Sequence, residues 1–147
     1  MKHRAGFTLI EIMIVVAIIA TLATLAISSM LRSRMNANEL GAIASLRTIS
    51  NGAQSFYAQV SPHAYPAVLA DLTTPTSDPP YLDSVLAGGT KQGYAYTYIL
   101  TDEDHFTCRG NPTAVGRTGN RYFYVDETGR ITANAAGPAD PADPMVE

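Results

Sequence analysis

The chain has 147 residues, a length that fits one small domain plus an additional element. Its formal net charge of −3 argues against nucleic acid as a main partner. The single cysteine, Cys108, excludes an intrachain disulfide and any metal site built from a cysteine pair.

The first predicted element is an apolar helix of membrane length. Phe7 to Leu31 is a run of 25 residues in which Glu11 is the only ionisable side chain. At about 1.5 Å per residue this helix would be about 37 Å long, enough to cross a hydrocarbon core of about 30 Å with some tilt. Secretory signal peptides have shorter apolar regions of about 7–15 residues, so we expect this segment to be retained. Two basic residues precede the run and two follow it, so charge alone does not orient it: Lys2 and Arg4, then Arg32 and Arg34.

The helix is predicted to continue well beyond the apolar run, because no proline occurs before Pro62. Apolar residues at spacings of three, four or seven form a stripe: Met35, Ala42, Leu46, Ile49, Ala53, Phe56 and Val60. Polar residues occupy positions outside the stripe: Arg34, Asn38, Glu39, Arg47, Asn51 and Gln54. The pattern predicts one long helix with an apolar first half and an amphipathic second half.

The remainder of the chain reads as loops followed by a small sheet. Prolines interrupt helical structure after residue 61, and short helical turns are predicted at 67–72 and 81–89. Alternating or β-rich segments then predict four strands, at 93–100, 105–109, 121–125 and 130–132. We expect an antiparallel meander with one face on the amphipathic half of the helix.

The predicted fold class is therefore α+β, a long N-terminal helix packed on a small C-terminal antiparallel sheet. The expected organisation has six parts: a leader peptide at 1–6, a transmembrane half-helix at 7–31, an amphipathic half-helix at 32–61, a connecting region with short helical turns at 62–92, a β-meander at 93–134, and a flexible tail at 135–147.

Glu11 is the residue that needs a physical explanation. A carboxylate at the centre of a membrane helix costs on the order of 2.5–3.5 kcal/mol by insertion scales, so it persists where something offsets that cost. If the chain were cut between Gly6 and Phe7, the new α-amine would lie one helical turn from Glu11. The carboxylate could pair with that amine or with the amine of a neighbouring copy, which would fix the register between subunits.

The segment K-x-R-A-GFTLIEIMIVVAIIA closely resembles the processing signal of type IV prepilins and of type II secretion pseudopilins. The resemblance covers residues 2 to about 35: a short basic leader, then Gly6, Phe7 and Glu11 at the start of a long apolar run. It implies that a membrane-bound prepilin peptidase cuts after Gly6 on the cytoplasmic side and methylates the amine of Phe7. It also implies that Glu11 assists recruitment of the subunit to a growing filament.

The same resemblance implies partners and location. The apolar halves of many copies would form the core of a homo-oligomeric helical filament, built by inner-membrane assembly machinery. Before assembly the subunit would sit in the inner membrane with its N-terminus in the cytoplasm and its C-terminal domain outside. The filament would then be extracellular or periplasmic.

The chain departs from many major pilins, which have a proline in the transmembrane half and a cysteine pair in the C-terminal domain. Absence of a disulfide is also common in the major pseudopilins of type II secretion, some of which carry calcium between loops of the sheet. Asp102, Glu103 and Asp104 are therefore weak calcium candidates, together with Asp126 or Glu127. EF-hand spacing is absent, and the favoured interpretation is a solvated hairpin loop with no metal or other cofactor.

Other polar groups have simpler interpretations. Cys108, next to Phe106 on a predicted strand, is expected to be a small buried apolar group. His63 and His105 lack metal-ligand spacing, and the glycines of 116–121 precede a strand rather than opening a phosphate-binding helix. Five tyrosines are expected to pack in the sheet rather than form a binding platform: Tyr94, Tyr96, Tyr98, Tyr122 and Tyr124.

No nucleophile–base pair is recognisable, so the predicted function is structural rather than enzymatic. The leading interpretation is a type IV pilus subunit, with a type II secretion pseudopilin as the alternative. A membrane-tethered periplasmic enzyme or binding module is a further alternative from another class. The amphipathic stripe disfavours it, because a plain tether would not need about 25 more helical residues after leaving the membrane.

Overall fold

The structure is a computed structural model that describes residues 6–73 and 79–146, without the side chains of residues 25 and 26. Residues 1–5 of the predicted leader lie outside the described residues. The elements in chain order are helix α1 (Leu9–Gln59), a 3₁₀ helix (Leu69–Thr73), helix α2 (Ser84–Ala87), and strands β1 (Thr90–Lys91), β2 (Tyr94–Asp102), β3 (His105–Pro112), β4 (Tyr122–Asp126) and β5 (Ile131–Asn134). The predicted α+β class is confirmed.

The chain divides between Arg34 and Met35 into two compact units, and α1 contributes to both. In the first unit the large apolar side chains described between Phe7 and Leu31 are 39–83% exposed. Apolar side chains on every face of a helix indicate an environment other than water. No described residue from 6 to 34 is buried, so this part of the unit has no core against which they could pack.

In the second unit the helix forms one wall of a hydrophobic core. Ala42, Leu46, Ile49 and Ala53 are all fully buried, as the apolar stripe predicts. The sheet supplies the opposing side chains of the core: Tyr94, Tyr96, Cys108, Phe123, Val125 and Ile131. Their burial makes residues 35–59 part of the C-terminal domain.

The sheet is an antiparallel meander with strand order β1-β2-β3-β4-β5. Tyr96 lies opposite Gly110, Cys108 opposite Val125, and Tyr124 opposite Thr132, and the β2–β3 pair has one register shift between Leu100 and Asp102. The short β1 was not among the four predicted strands. It falls in the predicted connecting region, where two residues are too few for a pattern to appear in the sequence.

The predicted flexible tail at 135–147 differs from the structure. Residues up to 146 fold back along β5: Ala133 N–H donates to the Pro144 carbonyl at 3.0 Å, and Val146 N–H donates to the Ile131 carbonyl at 2.9 Å. Ala139 is 1% exposed, and Val146 packs against the core. The order of this segment was not predictable from its low hydrophobicity, because backbone hydrogen bonds to a strand edge need no apolar pattern.

A second difference concerns Glu39, which the helical pattern assigned to a polar position outside the stripe. Its residue surface is only 6% exposed. The reason is a long-range partner: the loop between β3 and β4 covers this side of α1 and supplies hydrogen-bond donors to the carboxylate. Periodicity indicates which face is apolar, but it does not show that a charged residue at the margin has been covered.

Candidate functional site

Glu11 closes the first turn of α1. Its Oε2 accepts hydrogen bonds from the Thr8 backbone N–H and the Thr8 hydroxyl, both at 3.0 Å, while Glu11 N–H donates to Thr8 Oγ1 at 3.3 Å. The helix begins at Leu9, so Thr8 is its N-cap. This reciprocal arrangement is a capping box, and it satisfies two N–H groups that a helix start leaves without intrahelical partners.

This role of Thr8 was not among the features predicted from the sequence. The signal was available, because Thr8-Leu9-Ile10-Glu11 has the T-x-x-E spacing of a capping box directly before an apolar run. Glu11 is thus a local structural residue in a single copy, independent of any amine. Glu11 Oε2 receives both Thr8 donors, and an ionised carboxylate has about four acceptor positions. Capping therefore leaves the group able to bind a cation as well.

The predicted cleavage position lies just before this cap. Nothing lies within 4 Å of the place that a side chain on Gly6 would occupy, and Phe7 is 83% exposed. Both residues precede the first helical residue, Leu9. The peptide bond between them therefore lies outside the helix and is accessible, which a peptidase requires of its substrate.

Behind the cap lies the apolar surface. An 18-residue window of α1 has a mean hydropathy of 2.6, and none of that window is buried. A buried core helix of a soluble protein would have most of this window covered. The exposed window therefore fits a membrane-anchoring segment.

Three hydroxyl groups within this segment donate hydrogen bonds to carbonyls of the same helix. Thr21 donates to the Ala17 carbonyl at 2.9 Å, Thr24 to the Thr21 carbonyl at 2.8 Å, and Ser28 to the Thr24 carbonyl at 3.4 Å. A side-chain hydroxyl bonded to the preceding turn presents little polarity to a lipid environment. These residues do not oppose insertion of the helix.

The second unit contains a contrasting carboxylate. Glu39 Oε1 accepts from the Asn120 N–H at 2.8 Å and from the Arg121 N–H at 3.3 Å, and Glu39 Oε2 accepts from Arg121 Nε at 2.7 Å. Burial alone would raise the pKa of Glu39, but these N–H groups and the Arg121 charge together hold the pKa below its ordinary value. Glu39 ties the loop before β4 to α1.

The same contacts explain the glycine-containing segment 116–121. The Asn120 and Arg121 amides donate to Glu39, and the Asn38 side chain donates to the Thr118 carbonyl at 2.9 Å. Gly119 lies against the ring and hydroxyl of Tyr94, where an added Cβ would collide. Glycine here permits close packing, and two of the amides that a phosphate would need already have an acceptor.

The weak calcium candidates each have a separate hydrogen-bond partner. Asp102 Oδ1 lies 2.7 Å from His105 Nδ1, Asp104 Oδ1 accepts from the Tyr57 hydroxyl at 2.6 Å, and Asp126 Oδ1 accepts from the Thr128 N–H at 3.0 Å. In the stretches 6–73 and 79–146, no group of three or more Asp, Glu, His or Cys residues is arranged to hold a metal ion. These carboxylates accept hydrogen bonds from turn N–H groups or contact neighbouring side chains.

The remaining candidates belong to the core or its margin. Cys108 is fully buried, as predicted, and burial raises the pKa of its thiol to about 12. Tyr94 and Tyr96 are buried in the sheet core, which confirms the packing interpretation for these two. His63 Nδ1 lies 2.9 Å from the Tyr57 carbonyl oxygen, whereas His105 Nδ1 contacts Asp102.

Comparison with protein families finds one match: residues 1–27 fit the family described as "Prokaryotic N-terminal methylation motif". Comparisons with curated proteins and with solved structures give no significant match. The motif is the type IV pilin and pseudopilin signal, and its presence confirms the resemblance drawn from the sequence. The long N-terminal helix and the antiparallel sheet agree with a pilin-like architecture.

Together, the motif and the fold support a type IV pilin-like or pseudopilin protein. They indicate a structural rather than a catalytic role. The apolar helix and the motif fit membrane anchoring before assembly, and the motif implies processing by prepilin peptidase and assembly into pilus-like filaments.

Proposed function

We propose, from the pilin-type signal at residues 1–27 and the exposed apolar helix behind it, that this chain is a structural subunit of a type IV pilus-like filament. The observation that carries the proposal is an apolar surface with no protein cover joined to a processing motif. A lipid bilayer covers that surface before assembly, and other copies cover it afterwards. Such a protein acts through assembly and needs no catalytic residues.

Processing is the first step of the proposed function. Prepilin peptidase cuts between Gly6 and Phe7, and the new amine of Phe7 is then methylated. Removal of residues 1–6 takes away Lys2 and Arg4, which changes the formal charge from −3 to −5. The N-terminus faces the cytoplasm and the sheet domain lies outside the inner membrane.

Assembly is the second step. The Glu11 carboxylate, oriented by Thr8, receives the amine of Phe7 from a neighbouring copy inside the apolar bundle. Its capping hydrogen bonds hold the carboxylate at the end of the helix with little freedom to reorient, so pairing costs little side-chain entropy. An apolar environment strengthens an ion pair once it forms. The pairing of Glu11 would therefore fix the register between neighbouring subunits, a role that we call a register pin.

The alternative assignment is a type II secretion pseudopilin, for which the same processing and assembly steps apply. The feature that favours it is the single cysteine: Cys108 is buried and free, so the C-terminal domain is held by packing rather than by a disulfide. The two assignments differ in the location of the filament. A membrane-tethered enzyme or binding module has less support, because α1 residues 35–59 build the core of the domain.

The experiment that tests the proposal is intact-mass analysis of filaments sheared from cells. We expect a chain that begins at Phe7 and carries one additional methyl group. Gly6→Leu should leave unprocessed precursor in the membrane and abolish filaments, whereas Ala5→Gly, next to the cleavage position, should be processed. A filament subunit that still begins at Met1 would contradict the proposal.

A second measurement separates the two assignments. Deletion of the gene should remove surface filaments if the chain is a pilin, and should leave exported enzymes trapped in the periplasm if it is a pseudopilin. If neither phenotype is observed, the membrane-tethered module becomes the favoured assignment.

A further inference from the structure

An exposed loop of the second unit has properties expected of an interaction surface. The loop consists of residues 113–119, between β3 and β4, and we call it the braced loop. Val115 at its tip is 60% exposed, and Arg117, two residues further on, is exposed as well. Among the described residues Arg117 forms no ion pair. Arginine is enriched at protein interfaces, and an exposed apolar side chain two residues away adds surface that a partner could cover.

The braced loop is held rigidly by groups other than these two side chains. Thr113 N–H donates to the Gly93 carbonyl at 2.9 Å, and Asn38 donates to the Thr118 carbonyl at 2.9 Å. Within the loop, Thr118 N–H donates to the Ala114 carbonyl at 2.9 Å, and Ala114 N–H donates to Thr118 Oγ1 at 3.1 Å. A preorganised loop loses little conformational entropy when a partner covers it.

A surface of complementary chemistry lies at the other end of the helical wall. We call it the acidic-aromatic surface, formed by Tyr57, His63, Asp102, Glu103 and Asp104. The Tyr57 and His63 rings stack with centroids 5.3 Å apart, and the Tyr57 hydroxyl donates to Asp104. All three acidic residues are exposed, as is His63.

The charges around this surface are mainly negative. Glu127 lies near it, because Gln54 on α1 donates to the Glu127 carbonyl at 3.3 Å. The pKa of His105 is raised by its hydrogen bond with Asp102 and also by the charges of Glu127 and Asp104. Among the described residues, the ion pair at this surface joins His105 to Asp102, and neither Glu103 nor Asp104 forms an ion pair. Carboxylates without a cationic partner remain in excess.

The two surfaces of one copy are too far apart to neutralise each other. The braced loop contacts α1 at Asn38, and the acidic-aromatic surface contacts it at Tyr57 and Gln54. The 16 residues between Asn38 and Gln54 correspond to about 24 Å along a helix. Physiological salt screens exposed charges over about 8 Å, so this separation is about three screening lengths.

We propose that the braced loop of one copy docks on the acidic-aromatic surface of a second copy, with Arg117 facing Glu103 and Asp104 and with Val115 against the Tyr57 and His63 rings. The occupant is a second copy because each copy carries both halves of a complementary pair that it cannot bring together alone. Two different patches meeting head to tail form a heterologous contact, which propagates into an open helical array unless a rotation closes it. This inference rests on the proposed filament function and gives it a specific contact outside the membrane helices.

The first arm of the test is cysteine cross-linking in filaments formed by the full chain. Cys108 is fully buried, so the natural cysteine should not form disulfides that could be mistaken for those of an introduced cysteine pair. Val115→Cys with His63→Cys in one chain should give a ladder of dimers, trimers and larger species after mild oxidation, because the proposed contact places Val115 on the His63 ring. Each single variant should remain monomeric, because a heterologous contact does not bring two copies of the same residue together. Val85→Cys with His63→Cys is the matched control, since Val85 is also 60% exposed but lies on α2.

The second arm is charge reversal, scored by filament yield and by the membrane pool of processed subunit. Arg117→Glu should lower filament yield by about fivefold or more, because the contact then opposes like charges. Arg117→Lys should assemble, and Arg117→Glu combined with Glu103→Arg should recover most of the yield. The Arg117 side chain makes none of the bracing hydrogen bonds, so an unchanged pool of processed subunit would show that the domain still folds.

Failure of this inference can be distinguished from failure of the proposed function. If the unmodified chain forms filaments but the cysteine pair gives no ladder and Arg117→Glu assembles normally, the contact is wrong and the filament function stands. A dimer from Val115→Cys alone, with no longer species from the pair, would replace the head-to-tail contact by a symmetric one and overturn the inference. If the unmodified chain forms no filaments, both the proposed function and the inference fail.

Discussion

The two parts of α1, before and after residue 34, have the same secondary structure and opposite environments. In the first part the large apolar side chains are exposed, while in the second part the apolar stripe is buried under a five-stranded sheet. The first part lacks cover within one copy of the chain, and the second carries its own. One helix therefore contains a segment whose apolar side chains are covered within the copy and another whose apolar side chains are left exposed.

Each part also contains one carboxylate, and the comparison between them is instructive. Glu11 is bonded to Thr8, three residues away, whereas Glu39 is bonded to Asn120 and Arg121, about 80 residues away. Local partners leave Glu11 oriented and accessible. Distant partners surround Glu39 and fix the tertiary structure. The same functional group thus caps a helix locally in one place and anchors the tertiary structure in the other.

The largest expected effect comes from Glu11→Ala. Cleavage after Gly6 should be normal, because the leader and the glycine are unchanged, but filaments should be nearly absent. Removing one member of an ion pair in apolar surroundings typically costs about 3–5 kcal/mol, which corresponds to a loss of at least about a hundredfold. The measurement is filament yield alongside the membrane pool of processed subunit.

Two matched variants separate the charge of Glu11 from its capping role. Glu11→Gln keeps a capping box but loses the charge, so it should fail to assemble like the alanine variant. Thr8→Ala keeps the charge and loses the cap, at a cost of about 1 kcal/mol, so it should assemble at reduced yield. Normal filaments from Glu11→Gln would mean that Glu11 acts as a cap alone and that the register pin is wrong.

The second effect is on folding and concerns Glu39→Ala in a fragment comprising 35–147. Its removal leaves two backbone N–H groups and the Arg121 guanidinium without their acceptor, so we expect the free energy of unfolding to fall by about 2–4 kcal/mol. Urea unfolding provides the measurement. Arg47→Ala, on the exposed side of the same helix, should change it by less than about 0.5 kcal/mol. Equal effects of the two substitutions would contradict the anchoring role of Glu39.

A smaller effect follows from the lowered pKa of Glu39. A carboxylate whose pKa is lower in the folded state contributes stability that is fully present above its unfolded pKa of about 4.3 and is lost as the pH falls through the folded pKa. The difference in unfolding free energy between the natural fragment and its Glu39→Gln variant should therefore be constant from pH 7 to about pH 5.5. Below that pH the difference should shrink. A difference that grows on acidification would have the wrong sign and would exclude this linkage.

The smallest expected effect is that of a chelator. Asp102, Asp104 and Asp126 each have a separate protein hydrogen-bond partner, so we expect the melting temperature of the 35–147 fragment to be unchanged when calcium is removed. Magnesium-containing buffer with the same chelator serves as the control for ionic effects. A decrease of many degrees would show that a bound ion stabilises the folded state, and would make these three residues the first ligands to substitute.

The sequence was sufficient for features that depend on local pattern. The apolar run is recognisable by its length and composition, and the stripe on α1 and the alternating tyrosines of β2 each have a period that reflects the face they bury. The structure has the helix and the four predicted strands within a few residues of their predicted positions. The motif at residues 1–27 is likewise contiguous, so it is recognisable without a fold. The capping role of Thr8 was equally local, and its T-x-x-E spacing could have been used.

The tertiary structure alone decided the features that depend on distant partners. Glu39 is a solvated polar residue by its helical position, and it becomes an anchor because the loop before β4 brings Asn120 and Arg121 to it. Residues 135–146 resemble a tail by composition, and they become ordered because the edge of β5 offers hydrogen bonds to any backbone that reaches it. The separation of Arg117 from the acidic-aromatic surface also follows from which strands meet which turn of α1. Periodicity records which side of an element is apolar, whereas long-range pairing depends on the register of the whole sheet.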